Sequence, residues 1–330
     1  MTARRMRTIV YCLISAALVT VATACGSAGP GSGSGSGAGS GSGGSGGHIT
    51  LGVAAGNGPA NADLAQALGY FKDAGLDVSF KPLNGAGAEA IAGLDSGSIT
   101  IVESNVVSVM QSAQHGIKAP CFTGGVDFAN NMNSVLESAK SITQPSQLAG
   151  KSIGVISTNS ANTLMIDAYL AAHGVDYHSV HFVATGVTNT LSALQSGSVQ
   201  AGELVAPYSQ QYLQSGGNLL QENFGTVVNT PIFACWTALK DWLNSNSATA
   251  KKFVQALDRA DTYYYAHPKQ AAAMVSKLNG LPPSANSPDM TFKFTTSISG
   301  PQLQQWITLG QKYGVLHDVN LSQVYDPIGG

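Results

Sequence analysis

The sequence is short of charge, and it has no long apolar run outside its N-terminus. Only 10% of the 330 residues are charged, and 16 Lys and Arg against 18 Asp and Glu give a net charge of −2. Without a basic patch or run, the chain lacks the electrostatic signature of a nucleic-acid-binding protein. After the first 25 residues no apolar run approaches the roughly 20 residues that a membrane span needs. We therefore expect a soluble, exported body and no nucleic-acid partner.

The chain also lacks the residue sets that carry catalysis or hold a metal. An enzyme of this size class needs a nucleophile or base held by an orienting group, and the sequence shows no such constellation. His173, His178 and His181 are close in sequence, but the first ends a predicted helix and the others flank a predicted strand. We predict no catalytic residue, no metal site and no cofactor.

The first 25 residues are typical of an export signal. Three arginines precede an apolar run of about fifteen residues, 8–22, which has the length of a signal h-region. Small residues before Cys25 resemble a bacterial lipobox, although Ala22 stands where Leu is usual. This resemblance implies a signal over 1–25 and a lipid on Cys25. The alternative is an ordinary secretory signal, with Cys25 incidental.

Residues 26–47 are almost entirely Gly and Ser, and they are predicted to form a flexible tether. A coil of this length reaches roughly 25 Å, from about 5–6 Å times the square root of its length. A lipid followed by a slack tether suits a domain that stays near a membrane. We expect a location on the extracytoplasmic face of the cell membrane.

Strand-like and helix-like segments alternate from His48 onward. Residues 49–54 and 76–80 have the apolar pattern of strands, and 62–72 has the pattern of a helix. The alternation continues with a strand over 151–156 and a helix over 162–173. Strands that alternate with helices of this length predict an α/β fold with a largely parallel sheet.

A weak internal repeat indicates two lobes built alike. The segment 94–99 (LDSGSI) recurs as 194–199 (LQSGSV), and at the same offset of 100 positions Glu103 falls opposite Glu203. Ser-Gly before a strand is common in α/β proteins, but the constant offset extends over about 23 positions. The repeat therefore favours two similar halves.

Four segments, in this order, resemble the nitrate, aliphatic-sulfonate, taurine and thiamine-precursor group of ABC solute-binding proteins. They are 67–78 (ALGYFKDAGLDV), 93–98 (GLDSGS), 147–155 (QLAGKSIGV) and 194–199 (LQSGSV). The resemblance implies the two-lobed type II periplasmic-binding-protein fold, in which each lobe is a mostly parallel sheet flanked by helices and two hinge strands join the lobes. It implies a first lobe of 48–125 with 232–330, and a second lobe of 126–231. It also implies a monomer that delivers a small-molecule solute to ABC permease subunits.

Two cysteines remain for the folded body, Cys121 and Cys235. In an oxidising compartment a pair of this kind favours one disulfide, and the alternative is two separately buried thiols. The family resemblance implies hinge strands near 119–123 and 232–236 that cross side by side. That arrangement would bring Cys121 close to Cys235.

Ligands of open α/β sheets bind beyond the carboxyl ends of the strands, where this chain is polar and rich in glycine. Helix starts at these ends can hold an anion through free N–H groups, although Ser, Thr and Asn there are also the usual helix caps. We predict ligand contacts from the first lobe at Asn57, Gly85, Ala86, Ser104 and Asn105, and from the second at Thr158, Asn159, Ser160, Thr188 and Asn189.

Two carboxylates, Glu103 and Asp127, fall among these strand ends and would suit an amine or several hydroxyls. Their alternative role is a solvated or ion-paired carboxylate. Phe128, Tyr208 and Trp236 could stack on a ligand, or could pack in the core. The expected function is capture of a small anionic or zwitterionic solute for an ABC importer. The alternative is an enzyme or sensor that uses the same two-lobed fold on a small organic acid or a pyrimidine-like ligand.

Overall fold

The structure is a computed structural model, and it describes residues 48–54, 60–83, 87–127, 134–205, 208–221, 232–280 and 293–328. Eleven strands in these residues form two sheets. The strands are β1 (Ile49–Ala54), β2 (Val78–Leu83), β3 (Ile101–Asn105), β4 (Cys121–Asp127), β5 (Ser134–Ser138), β6 (Ser152–Val155), β7 (His181–Ala184), β8 (Ala201–Val205), β9 (Asn218–Gln221), β10 (Ile232–Thr237) and β11 (Lys293–Phe294).

Twelve α-helices in the same residues flank the sheets. They are α1 (Ala60–Ala67), α2 (Tyr70–Asp73), α3 (Ala88–Asp95), α4 (Val106–Gln114), α5 (Ala161–Ala172), α6 (Gly186–Gln195), α7 (Tyr208–Gln214), α8 (Lys240–Ser245), α9 (Ser247–Ala266), α10 (Pro268–Leu278), α11 (Gly300–Lys312) and α12 (Leu321–Val324). Among the described residues, no helix combines the length and the apolar character that crossing a membrane requires.

The first sheet has the strand order β11-β4-β10-β3-β1-β2. Strands β2, β1 and β3 run parallel, and β10, β4 and β11 add antiparallel pairings. One face carries a core of fully buried side chains, including Leu51, Ile101 and Trp236, which packs against α1 and α9. Gly52 allows the close approach of β1 and β3, since a Cβ there would lie 2.9 Å from Cγ2 of Val102.

The second sheet has the order β7-β6-β8-β5-β9 and repeats the plan of the first. Strands β7, β6 and β8 are parallel, as β2, β1 and β3 are, and β5 then pairs with β8 in the antiparallel sense, as β10 does with β3. Glu103 and Glu203 are each the third residue of a five-residue central strand. The repeat seen in the sequence therefore corresponds to equivalent positions in two similar sheets.

A shared apolar cluster lies between the helices of the two halves. It includes Met110 of α4, Met165 and Ile166 of α5, and Trp306 of α11, all of them fully or almost fully buried. The indole Nε1 of Trp306 donates a hydrogen bond of 2.7 Å to the carbonyl of Ile232 at the start of β10. The C-terminal helices therefore pack against both halves of the fold.

Cys121 of β4 and Cys235 of β10 form a disulfide, with 5.6 Å between their Cα atoms. Both cysteines are fully buried, and 114 positions of sequence separate them. Strand β4 is the last strand of the first sheet before the chain enters the second, and β10 is the first strand after it returns. The bond therefore joins the two strands from which the second half extends.

Several sequence expectations differ from the structure. The helix predicted over 62–72 is two helices, α1 and α2, with Gly69 between them at a φ of 77°. The boundary placed between 125 and 126 falls inside β4, which continues to Asp127. Strands β5 and β9 were not predicted, and they supply the antiparallel half of the second sheet. The helix predicted over 189–196 begins three residues earlier, at Gly186.

Candidate functional site

The two halves meet at the carboxyl ends of their parallel strands. Asn105 ends β3 and caps α4, since its Oδ1 accepts a hydrogen bond of 2.9 Å from the backbone N–H of Ser108. The same Oδ1 also accepts a 3.3 Å bond from the N–H of Ala161, the first residue of α5 in the second half. Gly87 lies close to the other half as well, since a Cβ there would be 3.2 Å from Oγ of Ser157.

The loop that meets Asn105 is held by its own hydrogen bonds. Ser160 caps α5, because its Oγ accepts from the N–H of Thr163 while the hydroxyl of Thr163 accepts from the N–H of Ser160. Glu203 supports the loop from β8, with Oε2 accepting from the N–H of Ile156 at 3.1 Å and Oε1 accepting from Nδ2 of Asn162. Residues 156–160 therefore have a defined path at the edge of the second sheet.

The predicted ligand contacts fall into three groups. Asn57, Gly85 and Ala86 lie outside the described residues, as does Phe128 among the proposed stacking side chains. Asn105 and Ser160 lie where the two halves meet, and the side chains of both are buried as helix caps. The remaining predicted contacts are Ser104, which is fully buried, and the exposed Thr158, Asn159, Thr188 and Asn189.

Thr188 and Asn189 lie at the start of helix α6. Both belong to the first turn of α6, and both are exposed. The buried residue in that turn is Thr190, whose hydroxyl lies 2.6 Å from the hydroxyl of Thr185. The described contacts of this turn lie within the second half.

The two predicted carboxylates have different environments. Asp127 forms an ion pair with Lys293 of β11, with 3.1 Å between Oδ2 and Nζ. Glu103 has no such cation: within the described part of the chain its Oε1 is buried and lacks a hydrogen-bond partner. Gly125 of β4 leaves room for this oxygen, because a Cβ there would lie 2.5 Å from it.

Glu103 faces a second acidic group that the sequence analysis missed. Asp261 of α9 is buried, and its Oδ1 accepts a 3.0 Å hydrogen bond from Nδ2 of Asn61, the second residue of α1. Burial, and then the charge of Asp261, raise the pKa of Glu103 to about 8. Burial raises the pKa of Asp261 to about 7, against the opposing effect of the Asn61 hydrogen bond.

Trp236 completes this cluster. It pairs directly with Glu103 across β10 and β3, so the two side chains share a face of the sheet. Its ring is fully buried and packs edge-on against Phe253, while its Nε1 has no hydrogen-bond partner among the described residues. Asn61, Glu103, Trp236 and Asp261 are called the Glu103 cluster below.

Other buried carboxyl groups lie away from this edge. Glu137 of β5 is fully buried and accepts a 2.5 Å hydrogen bond from the hydroxyl of Ser209 in α7, and burial raises its pKa to about 7. Burial likewise raises the pKa of Asp167 in α5 to about 7. In the described ranges, no group of three or more His, Cys, Asp or Glu could hold a metal ion.

Solved structures with the same fold include several binding proteins. The aliphatic sulphonate binding protein SsuA from Escherichia coli is 19% identical, covers 85% of this chain and 92% of its own, and gives a TM-score of 0.67. The alkanesulfonate-binding protein SsuA from Xanthomonas axonopodis pv. citri, bound to MOPS, is 14% identical with 85% and 98% coverage and a TM-score of 0.72. The nitrate-binding protein NrtA from Synechocystis PCC 6803 is 13% identical with 84% and 86% coverage and a TM-score of 0.69.

These likenesses show that the chain has the two-lobed type II periplasmic-binding-protein fold. No curated protein sequence matches the chain significantly. The model of the family described as NMT1/THI5 like matches residues 60–271. This match spans well over half of the 330 residues, from α1 to α10, and the chain therefore belongs to the NMT1/THI5-like family.

Proposed function

We propose that the chain is the extracytoplasmic solute-binding component of an ABC importer, and that it captures a small polar solute between its two lobes. The observation that carries this proposal is the meeting of the two halves at their strand ends, where Asn105 of one half accepts a hydrogen bond from Ala161 of the other. A solute held there would contact both halves. The family and the solute-binding proteins of the same fold support the same function.

In this proposal each lobe is built around one of the two sheets. The first consists of about 48–127 with 232–330, and the second of the residues between. Closure occurs by bending of the two connections between the sheets, and the solute shifts the balance towards the closed form through its greater affinity for that form. The protein delivers the solute unchanged to the permease subunits, works as a monomer and requires no cofactor.

The solute is proposed to be anionic or zwitterionic, since the N-terminal, positive ends of the α4 and α5 dipoles lie at the meeting edges. The test is a thermal-shift panel of nitrate, alkanesulfonates, taurine and pyrimidine compounds, followed by mass analysis of any ligand that binds. Small-angle scattering of the same complexes should show a smaller radius of gyration. Chemical turnover of the ligand, or no ligand-dependent compaction with any compound, would refute the proposal.

A variant pair can locate the site. Thr158→Trp should block binding, because Thr158 is exposed on the loop that faces the first half. Val183→Trp is the matched control, since Val183 is 40% exposed on the edge strand β7 of the same half. Equal binding by both variants would mean that the solute does not bind at this loop.

The N-terminal proposal is that Cys25 carries a lipid and that residues 26–47 tether the body to the membrane surface. Both segments lie outside the described residues, and the support is the lipobox-like sequence. Cys25→Ala should release the protein from the membrane fraction, whereas Cys12→Ala, within the apolar run, should leave it bound. Membrane retention of the Cys25 variant would contradict the anchor.

A further inference from the structure

We propose that Glu103 binds a positively charged group of the solute, such as a protonated amine, and that the Glu103 cluster is the cation subsite of this protein. The inference rests on the proposed function, because it assumes that a small solute reaches the edge of the first sheet. It is carried by a comparison of two equivalent positions within the same chain.

The two halves place the same two residue types at the same two positions. Glu103 and Glu203 are each third in the central strand of a sheet. Asn61 and Asn162 are each second in the helix that follows the neighbouring parallel strand. Each half therefore carries a Glu and an Asn at equivalent positions of its central strand and its first helix.

In the second half, the chain itself uses this pair. Glu203 accepts hydrogen bonds from Asn162 and from the backbone N–H of Ile156, and only 1% of Glu203 is exposed. Both of its carboxylate oxygens are thus occupied, one by the loop that precedes α5 and the other by the first turn of α5. Glu203 is a positioning residue, and a solute would have to displace these bonds to reach it.

In the first half, the equivalent Asn has changed partner. Asn61 donates to Asp261 of α9. Glu103 Oε1 is left buried and without a partner within the described residues, as is Nε1 of the adjacent Trp236. Buried polar atoms are almost always hydrogen-bonded in folded proteins, so orphaned atoms require an explanation. Orphaned atoms in the described residues also occur on Glu137 and Asn162, but Glu103 alone of these four residues is partly exposed. A ligand that reaches this edge of the sheet would supply the missing partner of Glu103.

The charges of the Glu103 cluster favour a positively charged group on the ligand over a negatively charged one. Asp261 lies close enough to raise the pKa of Glu103, and in the described chain no Lys, Arg or His pairs with either acid. Two neighbouring carboxyl groups disfavour an anion, and a cation between them relieves their repulsion. A cationic donor would satisfy Glu103, and an oxygen on the same solute could accept from the Trp236 indole N–H.

The test compares three pairs of compounds that differ in one positive charge: taurine and isethionate, γ-aminobutyrate and γ-hydroxybutyrate, and glycine betaine and its carbon isostere 3,3-dimethylbutanoate. We expect the charged member of at least one pair to bind more tightly in titration calorimetry. Glu103→Gln should weaken that binding by on the order of ten- to hundredfold and leave the uncharged member unaffected. Glu203→Gln, at the equivalent position, should leave the ratio of affinities within that pair unchanged, although loss of its hydrogen bonds to the loop before α5 can lower both affinities.

Proton release provides a second readout. A cation that binds the carboxylate form should expel a proton from Glu103, and the binding heat should then vary with the ionisation heat of the buffer. The groups that face Glu103 are Asp261 from α9, which Asn61 holds by a hydrogen bond, and Trp236 from β10. Asp261→Asn separates the contribution of the other acid. Glu103→Gln should abolish most of the proton release.

The outcomes are distinct. Binding of isethionate or another anion with compaction, but with no preference for a cation, would overturn this inference and leave the proposed function intact. A cation preference that survives Glu103→Gln would also overturn it. If none of the six compounds binds, the inference fails, and the wider ligand panel above then decides the function separately.

Discussion

Neutralising Glu103 should stabilise the ligand-free protein at high pH, which is unusual for a mutation in a buried polar cluster. Burial and the charge of Asp261 raise the pKa of Glu103 from 4.5 to about 8. Between these pH values the folded state holds a proton that the unfolded state has released. The contribution of this proton to stability is complete below about pH 4.5 and is lost as pH rises through about 8.

The size of the effect follows from the same numbers. The difference between 4.5 and about 8 corresponds to at most about 5 kcal/mol, at 1.36 kcal/mol per pH unit. Partial exposure of Glu103 lets water reduce this cost, so we expect Glu103→Gln to gain about 2 kcal/mol over the parent near pH 9. Near pH 5 the parent carboxyl is already protonated in the folded state, so the gain should be small.

Urea unfolding of parent and variant at these two pH values measures the effect, and Glu203→Gln is the control. Glu203 accepts hydrogen bonds from Ile156 and Asn162, so a Gln there loses an acceptor and should cost about 1–3 kcal/mol. Opposite signs for the two variants at high pH are the expected result. Destabilisation by both would refute the claim that Glu103 is an unsatisfied carboxylate.

Three further predictions concern the rest of the fold. Replacing Cys121 and Cys235 together by Ala should lower the free energy of unfolding in urea. Closing a loop of 114 positions contributes about 4–5 kcal/mol in the chain-entropy model, and often less in practice. Unchanged stability would argue against a disulfide in the native protein. Asn105→Ala should cost about 1 kcal/mol as a lost helix cap, and loss of the bond to Ala161 should increase the radius of gyration in solution scattering. Asn159→Gly should raise the melting temperature slightly by relieving about 1 kcal/mol of strain, because Asn159 has a φ of 55°; a lower melting temperature would show that its side chain is needed.

Local patterns predicted the parallel half of each sheet, but they missed the antiparallel half of the second. Strand β5 reads as polar because Glu137 and Ser138 occupy two of its five positions. Both are fully buried, and Oε1 of Glu137 accepts a hydrogen bond from Ser209, which lies 72 positions away. A search for a periodic pattern of apolar residues cannot detect a buried carboxylate whose hydrogen-bond partner is so distant in sequence. Strand β9 is only four residues long and exists through its pairing with β5.

The residues of the candidate site were likewise only partly predictable from local sequence patterns. Glu103 was visible in the sequence because it falls near the end of a predicted apolar strand. Asp261 was not, since its partner Asn61 lies 200 positions away. One signal was present: Asp261 continues the spacing of Phe253 and Leu257 along the buried side of α9 and is itself buried. An acid in the apolar stripe of a long helix is rarely buried without a partner, so it marks a position to examine.

The internal repeat is informative here because its two copies differ in the hydrogen bonds of equivalent Glu and Asn side chains. If Glu103 and Glu203 were retained only to brace the fold, each should be satisfied by the chain in the same way. The carboxylate of Glu203 is satisfied by the chain, and it holds the loop before α5 in place. Glu103 is not, because Asp261 takes the amide of Asn61 and brings a second acid beside it. An unsatisfied acid next to another acid lowers the stability of the ligand-free protein. A cationic solute would pair with these acids and remove that destabilisation, which adds to the free energy of binding.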